Sequence, residues 1–288
     1  MVITGTKQNK HHLKAFAKIN LSLAVGDKRD DGFHNILTIL QTISLHDEIF
    51  ISHKDSDKCS FSSNINLKWN DTNTMFRVVE AVRQEIDAPL GIAIFLKSRI
   101  PPGGGLGGAS TDAATLLKYL QRQHSIPDEI VKRIAEQVGS DVPFFLRGGT
   151  AIAAGRGEVL EFPGDLTDYH VKLALPGVRV PTPTAYALID RLGCADKLNR
   201  GDIDNLHRAF LAGDIASIKE LSKNTFEGPV LKAYKEIGAL FDRLDSDPTA
   251  ILTRLSGSGS CVFNLYACSK SLCFSFVTSD EVSKSDGA

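Results

Sequence analysis

The chain has 288 residues, of which 42% are hydrophobic and 23% charged, with 33 Lys and Arg against 34 Asp and Glu. This composition excludes disordered, collagen-like and low-complexity classes, and the balanced charge argues against a dedicated nucleic-acid binder. At roughly 100 to 200 residues per domain the length fits two domains, large enough to bury their cores without disulfides or structural metal. The cysteines (Cys59, Cys194, Cys261, Cys268 and Cys273) are scattered, with no C-x-x-C pair, and read as reduced thiols. The first fourteen residues carry no apolar signal core, and no later stretch reaches the roughly 18 apolar residues of a membrane span. A cytoplasmic protein without a membrane partner is expected.

From Leu13 the chain alternates, with Leu13, Ala15, Ala17, Ile19, Leu21, Leu23 and Val25 on one face and Lys14, Phe16, Lys18, Asn20 and Ser22 on the other. A polar turn at Lys28–His34 follows, then strands over Ile36–Ser44 and Glu48–Ser52, giving an antiparallel start. Residues 71–74 supply capping groups for an amphipathic helix through Ile86. A β-rich run at Gly91–Lys97 is ended by Pro101 and Pro102, and Gly103–Gly108 lead into a helix that begins near Ser110. A helix over Asp128–Val138 stops at Gly139, and the loop Ser140-Asp141-Val142-Pro143 precedes an apolar run and the Gly148-Gly149 turn. A linker at Phe162–Asp168 separates residues 1–165 from 166–288. The second half is expected to hold a strand at Val171–Leu175, helices near Thr184–Leu192, Ile215–Lys223 and Leu231–Asp245, and strands at Ile251–Leu255 and Cys261–Tyr266.

Successive glycines at a helix start let backbone amides and the helix dipole approach an anion, so phosphate is the natural ligand of Gly103–Gly108. The loop is not a Walker A motif, because Ala109 stands where Lys would be. A flexible turn remains the plain alternative, and a dinucleotide fingerprint fits poorly because Pro101 and Pro102 precede the glycines. Lys18 and Asn20 taken alone read as a solvated strand edge, and Asp141 as either a turn cap or a catalytic acid. Phe33 and His34 offer a ring and a titratable hydrogen-bonding group able to read a planar base, although Phe33 equally suits a core.

Together these segments resemble the GHMP kinases. The glycine loop P-P-G-G-G-L-G-G-A-S-T (Pro101–Thr111) is similar to their phosphate loop. A-K-I-N-L-S-L (Ala17–Leu23), K-R-D-D-G-F-H (Lys28–His34), G-S-D-V-P-F-F (Gly139–Phe145), P-T-P-T-A-Y (Pro181–Tyr186) and L-S-G-S-G-S-C-V-F (Leu255–Phe263) resemble the branch acting on 4-diphosphocytidyl-2-C-methyl-D-erythritol. The resemblance implies an α+β fold of two domains: an N-terminal α/β domain with a left-handed β-α-β unit and a C-terminal ferredoxin-like domain. It implies ATP on Pro101, Gly103, Gly104, Gly105, Leu106, Gly107, Gly108, Ala109, Ser110 and Thr111; Mg2+ is expected to arrive on the nucleotide, held by its phosphates, as the sequence shows no all-protein carboxylate cage and identifies no protein ligand for it. Asp141 would take the proton of the substrate's tertiary 2-hydroxyl beside Lys18. Asn20 and Thr182 would line the substrate site, and the cytosine would lie between Phe33 and Tyr186 with His34 hydrogen-bonded to it. The implied enzyme is an ATP-dependent kinase of non-mevalonate isoprenoid synthesis, a monomer or homodimer with a small-molecule substrate.

Four positions depart from the usual pattern: Phe33 for Tyr, Ala109 for Gly, Thr111 for Ser and Asp112 for Asn. The residues from about 267 are atypical, with six serines and one short apolar stretch, Leu272–Val277, in place of the family's amphipathic helix and closing strand. That end is expected to be disordered, differently folded or altered, weakening one edge of the second domain.

Overall fold

The structure, a computed structural model, describes residues 10–54, 56–86, 88–267 and 273–285. Most of the N-terminal signal reading and Cys268 therefore lie outside the described residues, as does part of the atypical end.

Strand β1 (Lys10–Lys28) pairs antiparallel with β2 (His34–His53) across a turn in which Gly32 takes φ +83°. Two strands were expected where β2 is continuous. With β1 along one edge, β2 shares its other edge between β4 (Ile92–Lys97), opposite residues 48–53, and β5 (Thr150–Gly155), opposite residues 36–41. Strand β3 (Ser60–Ser63) lies parallel to β4, joined to it by helix α1 (Thr74–Arg83), and β6 (Val159–Glu161) closes the far edge beside β5. The Asn73 side chain caps α1 by accepting from the amides of Met75 and Phe76. Helix α2 (Gly108–His124) follows the glycine loop, and α3 (Asp128–Val138) and the short α4 (Val142–Arg147) complete this half.

The second sheet has the order β10-β7-β9-β8, antiparallel throughout, built from β7 (His170–Ala174), β8 (Leu252–Leu255), β9 (Val262–Tyr266) and β10 (Phe274–Ser275). Between β7 and β8 run α5 (Thr182–Leu192), α6 (Arg200–Ala212), α7 (Ile215–Leu221), α8 (Glu227–Ala233) and α9 (Lys235–Asp245). The helix expected over Leu231–Asp245 is thus two, separated where Tyr234 takes an extended conformation that apolar spacing does not reveal.

The apolar face of β1 is divided among three cores. Leu13 and Ala15 pack with α1, α2 and α3, while Ala17, Ile19 and Leu21 pack with Val171, Phe263 and Leu265 of the second sheet. Leu23 and Val25 pack with α5, α8 and α9 residues such as Ile189, Val230 and Ile237. From Lys18 onward the polar face is buried too, which corrects the solvated-edge reading there: Lys18 is 6% exposed, Asn20 4% and Ser22 1%, while Lys14 stays exposed. Gly107 of the glycine loop lies against Lys18 and Gly257 against Asn20, while the β1 edge at Leu23 is bonded to the second half, its amide donating to the Lys223 carbonyl and the Thr225 amide to the Leu23 carbonyl.

The described part of the atypical end is folded. Ser275 faces His170 on one side of β7, and Tyr266 faces the same residue on the other, so β10 runs parallel to β9 with β7 between them. Beyond β10 the end leaves this sheet, the Val277 amide donating to the Thr42 carbonyl of β2, and α10 (Ser279–Ser285) buries Val282 against Gly148. Phe276 sits in the core beside the Tyr169 ring. Phe276→Ala is expected to lower the unfolding free energy by about 3 kcal/mol, the usual loss for a buried Phe. An unchanged urea midpoint would show that this segment adds nothing to the core.

Candidate active site

Gly103, Gly105 and Gly107 take φ of +77°, +74° and +75°, a region closed to most side chains. Space forbids side chains as well: a Cβ at Gly105 would lie 2.1 Å from the Ser256 carbonyl oxygen, and one at Gly107 would lie 2.6 Å from Cζ of Phe145. The loop is bound to the turn before β9, because the amides of Ser260 and Cys261 donate to the Gly103 and Gly104 carbonyls and the Ser256 hydroxyl to that of Gly105. A flexible turn is therefore ruled out. Gly107 caps α2 without a side chain, so the opening turn of this long helix faces outward from a rigid, amide-lined loop. Ala109, replacing the usual glycine, is an ordinary helical residue of α2, with no positive φ.

Lys18 lies beside this loop, its amide donating to the Leu106 carbonyl. Its Nζ donates to Asn20 Oδ1 at 2.7 Å and stands 3.9 Å from Asp141 Oδ2. Asp141 occupies the position that caps α4, yet its side chain makes no capping bond. The carboxylate is thus left free, 39% exposed, facing the lysine. Burial pushes the Lys18 pKa below the usual lysine range, and the Asp141 carboxylate opposes that shift.

A cleft of about 780 Å³ opens next to Asp141, lined by the neighbouring Ser140 and Pro143 and by Phe33, His34, Thr182 and Tyr186. Four of the five expected substrate-side positions thus line one cavity next to the acid, while Asn20 lies outside it, bonded to Lys18. Tyr186 stacks on the His34 ring at 4.9 Å, and the exposed Phe33 ring carries the Arg156 guanidinium at 5.0 Å. The two aromatic rings therefore flank the cleft without forming an open parallel slot. Thr182 Oγ1 lies 3.2 Å from Ser258 Oγ in the turn that supports the glycine loop.

The GHMP kinases N terminal domain family matches residues 73–149, and the GHMP kinases C terminal family matches residues 206–270. The 4-diphosphocytidyl-2-C-methyl-D-erythritol kinase of Thermotoga maritima is 40% identical over 262 residues, 90% of this chain and 93% of its own length. The same enzyme of Thermotoga petrophila is 38% identical, covering 88% of this chain and 91% of its own. This chain belongs to the 4-diphosphocytidyl-2-C-methyl-D-erythritol kinase family. A crystal structure of 4-(cytidine 5'-diphospho)-2C-methyl-D-erythritol kinase superposes with a TM-score of 0.75 at 30% identity, covering 88% of this chain and 90% of that one. Homoserine kinase from Cytophaga hutchinsonii shares the fold, with a TM-score of 0.66 at 16% identity over 99% of this chain and 92% of its own. The chain is accordingly an ATP-dependent GHMP kinase with the two-domain α+β fold of that group. Among the described residues no helix is long and apolar enough to cross a membrane.

Several residues of this kinase site escaped the sequence reading. Asp190 accepts from His34 Nε2 at 2.7 Å and pairs with Lys28 at 3.2 Å; its position four residues after Tyr186 on α5 was the available signal. The His34 hydrogen bond, and then that of Lys28, hold its carboxyl below the usual range. Asn224 donates to the Leu255 and Gly257 carbonyls at 2.7 and 2.9 Å, tying the strap over β1 to the turn under the glycine loop, and no local pattern marks it. Among the described residues no three His, Cys, Asp or Glu side chains come together as metal ligands.

Behind the loop, Asp47 and Asp112 are both buried. Asp47 Oδ1 accepts from the Ile100 amide at 2.6 Å and from the Arg99 amide, which anchors the start of the loop. Asp112 Oδ1 has no partner, and its pKa is raised well above the usual range by burial, then by the Asp47 charge and their shared hydrogen bond. The native state therefore holds a proton here that the unfolded chain gives up near pH 4, so stability falls as pH rises from about 4 through the native value. Asp112→Asn supplies a permanent donor at the same place. Its stability relative to the parent, read from urea unfolding, is expected to be higher at pH 7.5 than at pH 4.5. An advantage that does not vary with pH would rule out the shared proton.

Proposed function

We propose that this kinase transfers the γ-phosphoryl group of ATP to the 2-hydroxyl of 4-diphosphocytidyl-2-C-methyl-D-erythritol. The supporting observation is a free Asp141 carboxylate, unused as a helix cap, 3.9 Å from a buried Lys18 and set between the glycine loop and the cleft. Asp141 accepts the hydroxyl proton as the oxygen attacks phosphorus, and the bond to the departing ADP oxygen breaks. The Lys18 ammonium stabilises charge on the transferred group, as phosphoryl transfer demands positioning and neutralisation above all. The nucleotide phosphates rest on residues 101–111, where rigid amides and the α2 terminus favour anions. Mg2+ would add neutralisation on those phosphates; among the described residues no cluster of His, Cys, Asp or Glu side chains is placed to hold it.

On the other side, Phe33 and Tyr186 flank the cytosine, His34 reads it while held by Asp190, and Asn20 and Thr182 border the polyol. Burial, with Asp141 as a second cause, pushes the Tyr186 phenol up to about 12, so it stays neutral and supplies an uncharged face at physiological pH. The two domains of this reading, residues 1–165 and 166–288, meet along β1 and the glycine loop. The enzyme works in the cytoplasm as a monomer or homodimer.

The test is ATP-dependent phosphorylation of this substrate with mevalonate and homoserine in parallel. Turnover of the cytidyl substrate alone is expected, with Asp141→Asn lowering kcat by about 100-fold or more while ATP still binds. Turnover of another acceptor in its place would overturn the substrate assignment, and an Asp141→Asn enzyme within a few-fold of the parent would remove the base.

A further inference from the structure

Behind the lysine lies a chain of buried hydrogen bonds whose direction can be deduced atom by atom. Thr38, 1% exposed on β2, places its Oγ1 2.6 Å from the Ser22 carbonyl oxygen and 2.9 Å from the Asn20 amide nitrogen. A carbonyl has no hydrogen to give, so the single Thr38 hydroxyl proton is committed to Ser22. Toward Asn20 the hydroxyl oxygen can then only accept, and the group facing it must be Nδ2–H. Oδ1 of Asn20 is consequently turned the other way, toward Lys18 Nζ at 2.7 Å. Were the amide rotated by half a turn, Nδ2 would meet the Lys18 donor and Oδ1 would meet an oxygen with no proton left. Both bonds would be lost in a buried site, where unpaired polar groups cost most.

We propose that Thr38, which touches neither ATP nor acceptor, is the positioning residue that fixes the Asn20 amide and through it aims the Lys18 ammonium at the reacting phosphoryl group. One of the three Lys18 N–H groups is taken by Asn20, and Asp141 at 3.9 Å is beyond hydrogen-bond reach. The remaining donors are thereby left for the side on which Asp141 and the glycine loop lie. The inference rests on the kinase reading above and adds to it a residue that neither its motifs nor its cleft contain.

Thr38→Val keeps the branched shape and removes the hydroxyl, while Thr38→Ser keeps the hydroxyl. With the valine, kcat is expected to fall about tenfold, the scale of one hydrogen bond to a charged group, while KM for ATP stays within about twofold. The serine should restore kcat to within about twofold. The alkaline limb of the kcat profile should also move to lower pH in the valine enzyme, because Lys18 loses an oriented acceptor that favours its charged form. The titratable groups facing Lys18 there are Asp141 ahead of α4 and, beyond it, Tyr186 on α5, whose phenol burial and then Asp141 push up to about 12. If the valine variant does not fold, Thr38→Cys, similar in shape and a weak donor, carries the same expectation. A valine enzyme with parental kcat and pH limb would overturn the role, as would a serine enzyme as impaired as the valine one. A parent enzyme that ignores the cytidyl acceptor would instead sink the underlying reading, and the two failures cannot be confused.

Discussion

The structure depends on the burial of β1 on both of its faces. A strand that carries Lys18, Asn20 and Ser22 opposite an apolar row is expensive to enclose, since each polar group must find a partner in exchange for water. The partners come from far along the chain: the loop carbonyl of Leu106 for the Lys18 amide, Thr38 for Asn20, and the Lys223 carbonyl for Ser22. Two of these partners belong to the first half and one to the second, so both halves contribute to enclosing the catalytic strand.

This enclosure also explains the electrostatics. A lysine in such a place loses hydration, and the neutral Asn20 oxygen at 2.7 Å and the Asp141 carboxylate at 3.9 Å compensate only in part. The result is a cation that is underpaired in the free protein, so an anion entering from the glycine loop gains more than it would from a solvated lysine. Asp141, by contrast, is kept open to the cleft and unburdened by a capping role, which suits a group that must take up a proton. The pair divides its environment as a base and a charge stabiliser should.

Much of this was legible in the sequence, and the limits have physical causes. Strand alternation put Lys18 and Asn20 on one face, and the proline-glycine run predicted a strand, loop and helix in that order. Whether that face was wet or buried was not legible, because the glycines that lie against it, Gly107 and Gly257, come from loops far along the chain with no periodicity of their own. Asp141 on its own looked more like a turn cap until the geometry separated its backbone position from its side chain. Strands β5 and β6 were missed because Thr-Ala-Ile-Ala-Ala-Gly is weak in β-branched residues and is held by pairing with β2. The family resemblance supplied the fold and the chemistry; residues such as Thr38, Asn224 and Asp190, whose importance lies in what they hold, needed coordinates.

The C-terminal segment has a consequence for how the molecule captures its ligands. It adds β10 to the second sheet and then crosses to bond Thr42 and Gln41 on β2, with Ser279 tied to Asp165 at 2.8 Å. A chain end stitched into both halves works as a buckle, holding the angle between them against hinge-like opening. Adjustment to an incoming nucleotide and acceptor then falls to side chains on the rim, with Arg156 free to leave the face of Phe33 and Tyr186 to part from His34, while the frame behind them stays still.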